Sequence, residues 1–284
     1  MTTQNLPHTP QARLGLLREK LTELNSVIVA FSGGVDSSFL LKVAMDTLKE
    51  SGRVLAVTAR SSTYPQAEMA EAIKLAELIG APHRIIDSEE LEIEGFAGNP
   101  PDRCYFCKGE LFGLLADIAG KEGYAAVLDG ANADDLKDYR PGSRAAREKQ
   151  VRSLLQECGF TKNDIRELSR AMGLPTWDKP AFACLASRFP FGEKITADKL
   201  SRLDRAEAFL RSLGFRQLRV RNHDDVARIE LPTEDIARAA SPELAEKIHR
   251  ELFGLGFKFV ALDLAGYRTG SMNATLPAYG HKGE

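Results

Sequence analysis

Apolar residues along this chain recur at two periods, and the switches between those periods mark out the elements. Leu14, Leu17, Leu21 and Leu24 share one side of a helical wheel, so Pro10–Leu24 is predicted as an amphipathic helix facing a core. A continuous run, Val27-Ile28-Val29-Ala30-Phe31, then predicts a buried strand. It gives way through Ser32-Gly33-Gly34 to a helix from about Val35. The alternation continues with strand Arg53–Ala59, helix Pro65–Ile79, strand His83–Asp87, helix Gly109–Glu122 and strand Ala125–Gly130. Leu154–Gly159 and Ile165–Met172 read as short helices, stopped by Gly173-Leu174-Pro175.

Strands that alternate with helices imply right-handed crossovers and a parallel sheet, so the predicted class is α/β with a Rossmann-like core. Ligands of such sheets sit beyond the carboxyl ends of the strands. Here those ends are Ser32–Gly34, Thr58–Ser62, Asp87 and Asp129–Asp135. Leu136–Arg152 is polar and basic, the pattern of a solvated surface segment or lid. After Pro190 the pattern changes to helix Ala197–Leu213, strands Gln217–Arg221 and Ala227–Leu231, a helical region Thr233–Gly254 and strand Phe257–Leu264. This order suggests a smaller C-terminal α+β domain, with the chain dividing into 1–190 and 191–284.

The 284 residues suffice for a sizeable core, and 43% hydrophobic with 27% charged is ordinary for a soluble globular chain. No apolar run approaches the roughly 20 residues that span a bilayer, and the first residues lack a basic-then-apolar signal segment, so a cytoplasmic location and no membrane partner are expected. The net charge of −2 speaks against nucleic acid as the main partner. Four cysteines in a chain kept reduced point to metal or thiol chemistry rather than a disulfide framework.

The chemistry concentrates at Ser32-Gly33-Gly34-Val35-Asp36-Ser37-Ser38. Two glycines let consecutive N–H groups turn toward one anion, and the following helix aims its free N–H groups and positive dipole end at the same place. Ser32, Ser37 and Ser38 add hydroxyl donors, and Asp36 could orient the loop or help to hold a metal ion. A Walker loop would carry Gly-Lys-Ser/Thr into the helix, and no lysine stands there. Ser-Gly-Gly-x-Asp-Ser after a strand instead resembles the PP-loop ATP pyrophosphatases. In those enzymes the loop grips the β,γ-pyrophosphate while a substrate oxygen attacks the α-phosphorus.

Further candidates lie at the other strand ends. Ala59 and Arg60 could offer backbone groups to adenine and a charge to phosphate, and Gly130 lies where ribose, Mg²⁺ or the loop itself would be supported. Asp134 and Asp135 would serve the same site or cap the next helix. Cys104 and Cys107 form a C-x-x-C in a predicted loop just before a helix, with Lys108 directly after it. Cys184 stands in Lys179-Pro180-Ala181-Phe182-Ala183-Cys184-Leu185-Ala186-Ser187-Arg188, whereas Cys158 sits beside Leu154 and Leu155 as a core residue. Three thiolates can hold a [4Fe–4S] cluster and leave one iron open; structural zinc would want a fourth ligand. Arg219 and Arg221 alternate along a strand and so share a face, as a grip for a phosphate together with Arg188 or as a solvated basic face.

These motifs taken together resemble the LarE family of ATP-dependent sulfur transferases. The likeness is carried by Ser32–Ser38, Cys104–Lys108, Gly130–Asp135, Cys184–Phe189 and Arg219–His223, and spans most of the chain. It implies that ATP and Mg²⁺ adenylate the carboxylates of pyridinium-3,5-biscarboxylic acid mononucleotide, and that sulfur then displaces AMP to leave thiocarboxylates for a nickel-pincer cofactor used by lactate racemase. It implies two sulfur routes. One is a sacrificial cysteine at Cys184; the other, expected here from the three cysteines, is a [4Fe–4S] cluster at Cys104, Cys107 and Cys184 that accepts sulfide or another sulfur donor. The family likeness further suggests a homo-oligomer, a hexamer built of trimers, and Arg188, Arg219 and Arg221 as phosphate ligands. A PP-loop tRNA thiolase is the competing reading. It would want a broad basic surface or an added RNA-binding domain.

Overall fold

The computed structural model describes residues 7–50, 52–137, 141–180, 183–268 and 271. The chain divides into two compact units. One takes in Met1–Ser61, Ala67–Ser88 and Cys104–Phe182, the other Ser62–Gln66, Glu89–Arg103 and Ala183–Glu284. The second unit thus includes two short excursions from the first half of the chain as well as the C-terminal third.

The first unit is built on strands β1 (Ser26–Ala30), β2 (Arg53–Arg60), β3 (His83–Asp87) and β4 (Ala126–Leu128), all parallel, in the order β3-β2-β1-β4. Their unbroken apolar runs are explained by cover on both faces. Val27 and Val29, with Val54, Ala56 and Leu128, point to a core filled by helices α1 (Pro10–Leu24), α2 (Val35–Leu48), α3 (Gln66–Ile79), α6 (Leu154–Glu157) and α7 (Lys162–Ala171). Ile28, Leu55, Val57 and Val127 point the other way, onto Phe112 and Leu115 of α4 (Arg103–Glu122) and Ala145 of α5 (Gly142–Glu148). Local chemistry sets the ends: Thr9 caps α1 with Pro10 following it, Asn25 closes α1 at φ 58°, and Thr161 and Asp164 form a capping box on α7.

The second unit contains α8 (Ala197–Ser212), β5 (Arg219–His223), β6 (Val226–Glu230), α9 (Thr233–Ala239), α10 (Pro242–Gly254) and β7 (Phe259–Leu262). The strands form one sheet, β5-β6-β7; the first pair is an antiparallel hairpin closed by Asp224 and Asp225, the second pair is parallel. Val220, Ala227 and Ile229 are buried on one face of this sheet. Arg219, Arg221 and Glu230 lie on the other, in line with the period of two.

Two expectations are corrected. Helix α4 begins at Arg103 rather than Gly109, so Cys104 and Cys107 stand in its first turns and not in a preceding loop. Gly109 looked like a boundary, yet a side chain there would meet nothing within 4 Å, and the helix runs through it because Phe112 and Leu115 anchor the rest. The polar stretch Leu136–Arg152 is only partly solvated: α5 buries Ala145 and Ala146, Val151 is buried, and Arg152 bridges to Leu128 beside β4. Residues 138–140 of that stretch lie outside the described residues.

Candidate active site

The strand order places the change of direction between β1 and β4, since β2 and β3 extend to one side of β1 and β4 lies on the other. A crevice at the carboxyl ends of two such strands is where open α/β sheets bind ligands. The loop after β1 and Gly130 after β4 both stand there. Gly33 has φ +62°, and a Cβ on it would come within 3.0 Å of Ala72 Cβ on α3, so conformation and space both require glycine. Gly34 is the N-cap of α2 and supplies no side-chain cap, which leaves the first N–H groups of that helix for an anion.

The loop hydroxyls hold the turn. Ser38 Oγ donates to the Gly34 carbonyl at 2.6 Å, and Ser37 Oγ lies 3.1 Å from Ser32 Oγ and accepts from Ser32 N–H at 3.3 Å. Gly130 backs directly on the loop: a Cβ there would lie 3.1 Å from Ser37 N and 3.4 Å from Asp36 Cβ. Asp36 itself accepts from Asn132 Nδ2 at 3.3 Å and forms an ion pair with Lys162 Nζ. Lys162 is the first residue of α7. A second lysine, Lys179, donates to the Gly33 carbonyl at 3.3 Å while pairing with Glu68 and Glu71, each at 2.8 Å. Burial works to lower the Lys179 pKa, but the two carboxylates outweigh it and the group is held above its usual value. Asn132 lies in the Gly130–Asp135 stretch expected to support the loop, and Lys179 opens the Cys184 segment without a role assigned to it; Lys162 carries no local signal that would single it out.

Asp134 and Asp135 act as local fasteners. Asp134 Oδ2 accepts the N–H of Lys162 at the start of α7, and Asp135 Oδ2 accepts Asn132 N–H at 3.0 Å. The first reaches α7, 28 residues on, rather than the helix that follows Asp135 in sequence. Ala59 and Arg60 are the last two residues of β2, and Arg60 is 63% exposed, its guanidinium two-pronged on Asp87 at 2.7 and 3.1 Å. Hydrogen bonding to Asp87 raises the Arg60 pKa, and the same bond lowers that of Asp87.

Cys104 is exposed and Cys107 half-buried, one turn apart on α4. Beside them, the Tyr105 hydroxyl donates to Glu148 at 2.7 Å and Arg144 stacks 3.7 Å from the Tyr105 ring, so α5 is clasped to the start of α4. Lys108 Nζ lies 5.2 Å from the Phe112 ring centre. Cys158 is buried, as expected, and burial pushes its thiol up to about 11. Among the described residues no group of three or more His, Cys, Asp or Glu side chains is arranged to hold a metal ion.

In the second unit, Cys184 opens a 3₁₀ turn, Leu185–Arg188, and its carbonyl accepts from Ser187 N–H, Ser187 Oγ and Arg188 Nη1 at 3.0, 2.8 and 3.1 Å. Ala181 and Phe182 just before it lie outside the described residues. Arg219 and Arg221 are buried, not a solvated basic face. Arg221 donates to Glu230 at 2.7 Å and to the Ser187 carbonyl at 2.9 Å, and Arg219 lies 5.3 Å from the Tyr267 ring centre. Burial, then the neighbouring Arg188 charge, pushes Arg219 down to about 10. Arg188 is fully buried, and all three of its nitrogens donate to protein acceptors, chiefly Glu207. Glu207 is also paired with Arg211 at 3.1 Å and Glu230 with Arg228 at 3.2 Å, so both buried carboxylates are shared among guanidiniums.

Comparison with known proteins sharpens the picture. The sequence model of the NAD synthase family matches residues 11–96, the part holding the loop. An uncharacterised protein of Synechocystis sp. is 43% identical over 266 residues, 94% of this chain and 98% of its own length. The pyridinium-3,5-bisthiocarboxylic acid mononucleotide synthase of Lactiplantibacillus plantarum is 44% identical over 256 residues, 90% of this chain and 92% of its own. A tRNA-specific 2-thiouridylase of Beijerinckia indica is 30% identical over 217 residues, 63% of this chain and 49% of the thiouridylase.

Proposed function

We propose, since the chain belongs to the LarE family of PP-loop proteins, that it is an ATP-dependent sulfur transferase. Its substrate would be pyridinium-3,5-biscarboxylic acid mononucleotide, whose carboxylates it converts to thiocarboxylates for a nickel-pincer cofactor. The observation that carries this reading is the anion cradle at the β1/β4 crevice: a glycine turn and an uncapped α2 N-terminus, without a loop lysine, in a chain alike over nine-tenths of its length to a synthase of that product.

The chemistry runs in two displacements. A substrate carboxylate oxygen bonds to the α-phosphorus of ATP as the bond from that phosphorus to the bridging oxygen breaks, and pyrophosphate leaves with the electron pair. Sulfur then bonds to the acyl carbon, and AMP leaves with the pair of the broken C–O bond. A carboxylate is a poor acyl donor and an acyl-adenylate a good one, which is why ATP is used. The Ser32–Ser38 loop would hold the pyrophosphate through N–H and hydroxyl donors. The partly exposed Asp36 carboxylate suits Mg²⁺, which takes one or two carboxylates and completes its shell with phosphate and water oxygens. That ion would neutralise charge developing on the leaving group. Ala59, Arg60 and Gly130 would border the nucleoside. Arg219 and Arg221 would take the substrate phosphate, with Arg188 adding charge from its seat on Glu207.

Cys104, Cys107 and Cys184 supply the sulfur side of the reading. Three thiolates match the number that holds a [4Fe–4S] cluster with one open iron. The described residues do not gather them into a metal-holding group, so the cluster rests on the family likeness and the cysteines themselves. The rival source is the Cys184 sulfur itself, released with conversion of the residue to dehydroalanine.

Mass spectrometry after turnover with ATP, Mg²⁺ and the pyridinium substrate tests the proposal, alongside iron and sulfide analysis of anaerobically purified protein. An intact Cys184 peptide, about four irons per chain and sulfide-dependent product support the cluster. Loss of one sulfur from that peptide without iron assigns the sacrificial route. Untouched substrate with ATP consumed on an RNA instead would replace the proposal by the thiolase reading.

A further inference from the structure

A trans peptide group carries its carbonyl and its N–H on opposite sides of one plane, because the C–N bond does not rotate freely. Whatever holds the Gly33 carbonyl therefore sets the direction of the Gly34 N–H. That carbonyl is held from outside the loop, by Lys179 Nζ at 3.3 Å. The Gly34 N–H makes no hydrogen bond among the described residues, and it belongs to the N-cap of α2, next to the free N–H groups of that helix. The setting of Lys179 suits a brace better than an anion ligand. Its side chain is 14% exposed and shared between Glu68 and Glu71 at 2.8 Å each, so one ammonium and two carboxylates leave a net negative charge. Both carboxylates stand on α3, the helix whose Ala72 closes on Gly33. The backbone of Lys179 is fixed as well: Arg166 of α7 donates to its carbonyl at 3.0 Å, and its N–H donates to the Thr176 carbonyl at 3.0 Å. The ammonium is tied at both ends, and the two carboxylates keep it protonated.

We propose that Lys179 is a positioning residue: by holding the Gly33 carbonyl it locks the Gly33–Gly34 peptide with the Gly34 N–H turned toward the pyrophosphate, and it does not touch the phosphates itself. The inference rests on the adenylation reading and deepens it. Gly33 needs such a hold. Its φ of +62° is one of several regions that glycine visits freely. A flip of the peptide would present a carbonyl oxygen to the leaving group in place of a donor. An ammonium on the carbonyl also polarises the peptide, which strengthens the N–H as a donor. A donor oriented before ATP arrives costs no reorganisation as charge develops on the pyrophosphate.

Two measurements on the full chain test it. Hydrogen exchange of the ligand-free protein, followed by mass spectrometry, should quicken in Lys179→Met chiefly in the peptide spanning Ser32–Ser38, and Lys179→Arg should restore it. Calorimetric titration with Mg·pyrophosphate should show an affinity about 3- to 10-fold lower in Lys179→Met, part of the worth of one hydrogen bond to a charged group. Lost affinity with unchanged loop exchange overturns the proposal, because the lysine then meets the phosphates directly. Faster exchange spread evenly over α3 and α7 also overturns it, because that marks a general packing role. Lys179→Met leaves the largely buried Glu68 without its cation. If the thermal midpoint shows that variant unfolded, Lys179→Met combined with Glu68→Gln takes its place. If the unsubstituted chain binds no Mg·pyrophosphate, the adenylation reading falls and takes this one with it; binding by the unsubstituted chain with no effect of the substitution removes this inference alone.

Discussion

Arg188 and Glu207 meet as a two-pronged ion pair with no solvent exposure, Nε to Oε1 at 2.8 Å and Nη2 to Oε2 at 3.0 Å. Glu207 also accepts Val220 N–H at 3.0 Å, and the remaining Arg188 nitrogen reaches the Ala183 and Cys184 carbonyls. One pair thus ties α8, β5 and the Cys184 turn together. Burial works against both charges, but each partner outweighs it, so Arg188 is held above and Glu207 below its ordinary pKa.

Glu207→Gln would leave a buried guanidinium unmatched. The expected loss is about 3–5 kcal/mol, because the desolvation cost remains while the attraction goes. A urea titration would show it as a lower midpoint at unchanged slope. A loss below about 1 kcal/mol would mean that water reaches the pair.

Gly130→Ala probes the crevice rather than the core. Its Cβ would press on Ser37 N at 3.1 Å, and a backbone atom yields only if the loop moves. On the proposed adenylation reading, substrate-dependent pyrophosphate release should drop, but by less than the ~10²-fold that a misplacement of ~1 Å costs, because the loop need yield only part of that distance. Far-UV circular dichroism should stay unchanged.

The cysteines should separate by reactivity. With its thiol pushed up to about 11 and its side chain buried, Cys158 stays protonated and shielded at pH 8. Iodoacetamide on metal-free protein should label the exposed Cys104 first and Cys158 only once urea unfolds the chain. Peptide mass spectrometry at successive times gives the order.

His83 makes stability depend on pH. Burial lowers its pKa, partly offset by Glu77, and its Nε2 lies 2.9 Å from Thr58 Oγ1, which donates to the Phe31 carbonyl just before the loop. A histidine whose folded pKa is depressed is neutral in the fold and takes its proton more readily when unfolded. Its contribution is complete above the unfolded value, about 6.5, and is lost as pH falls through the folded one. The thermal midpoint should therefore fall between pH 7 and 5, and fall less in His83→Gln. His223, lowered chiefly by burial, adds to the slope with the same sign.

Much of the first unit was legible in the sequence because its signals are local. Pro10–Leu24 and His83–Asp87 were delimited by leucine spacing, flanking glycine and β-branched runs, and the structure has the same bounds. Alternation of strand and helix implied the parallel sheet, and Ser-Gly-Gly after a strand implied the tight turn, since φ +62° together with the closeness of Ala72 favours glycine at Gly33. The start of α4 was missed because Gly109 resembles a helix boundary in sequence, whereas packing of Phe112 and Leu115 carries the helix through it.

What the sequence determined by itself, then, was the order of elements and the glycine turn between β1 and α2, both products of short-range sterics and periodicity. Only the tertiary structure decided which charges meet. Lys162 reaches Asp36 across 126 residues and Lys179 reaches Gly33 across 146, distances over which no spacing rule operates. Burial likewise turned Arg219 and Arg221 from ordinary strand residues into a buried cationic pair. Charge pairing and desolvation depend on position in space, and the fold alone supplies that.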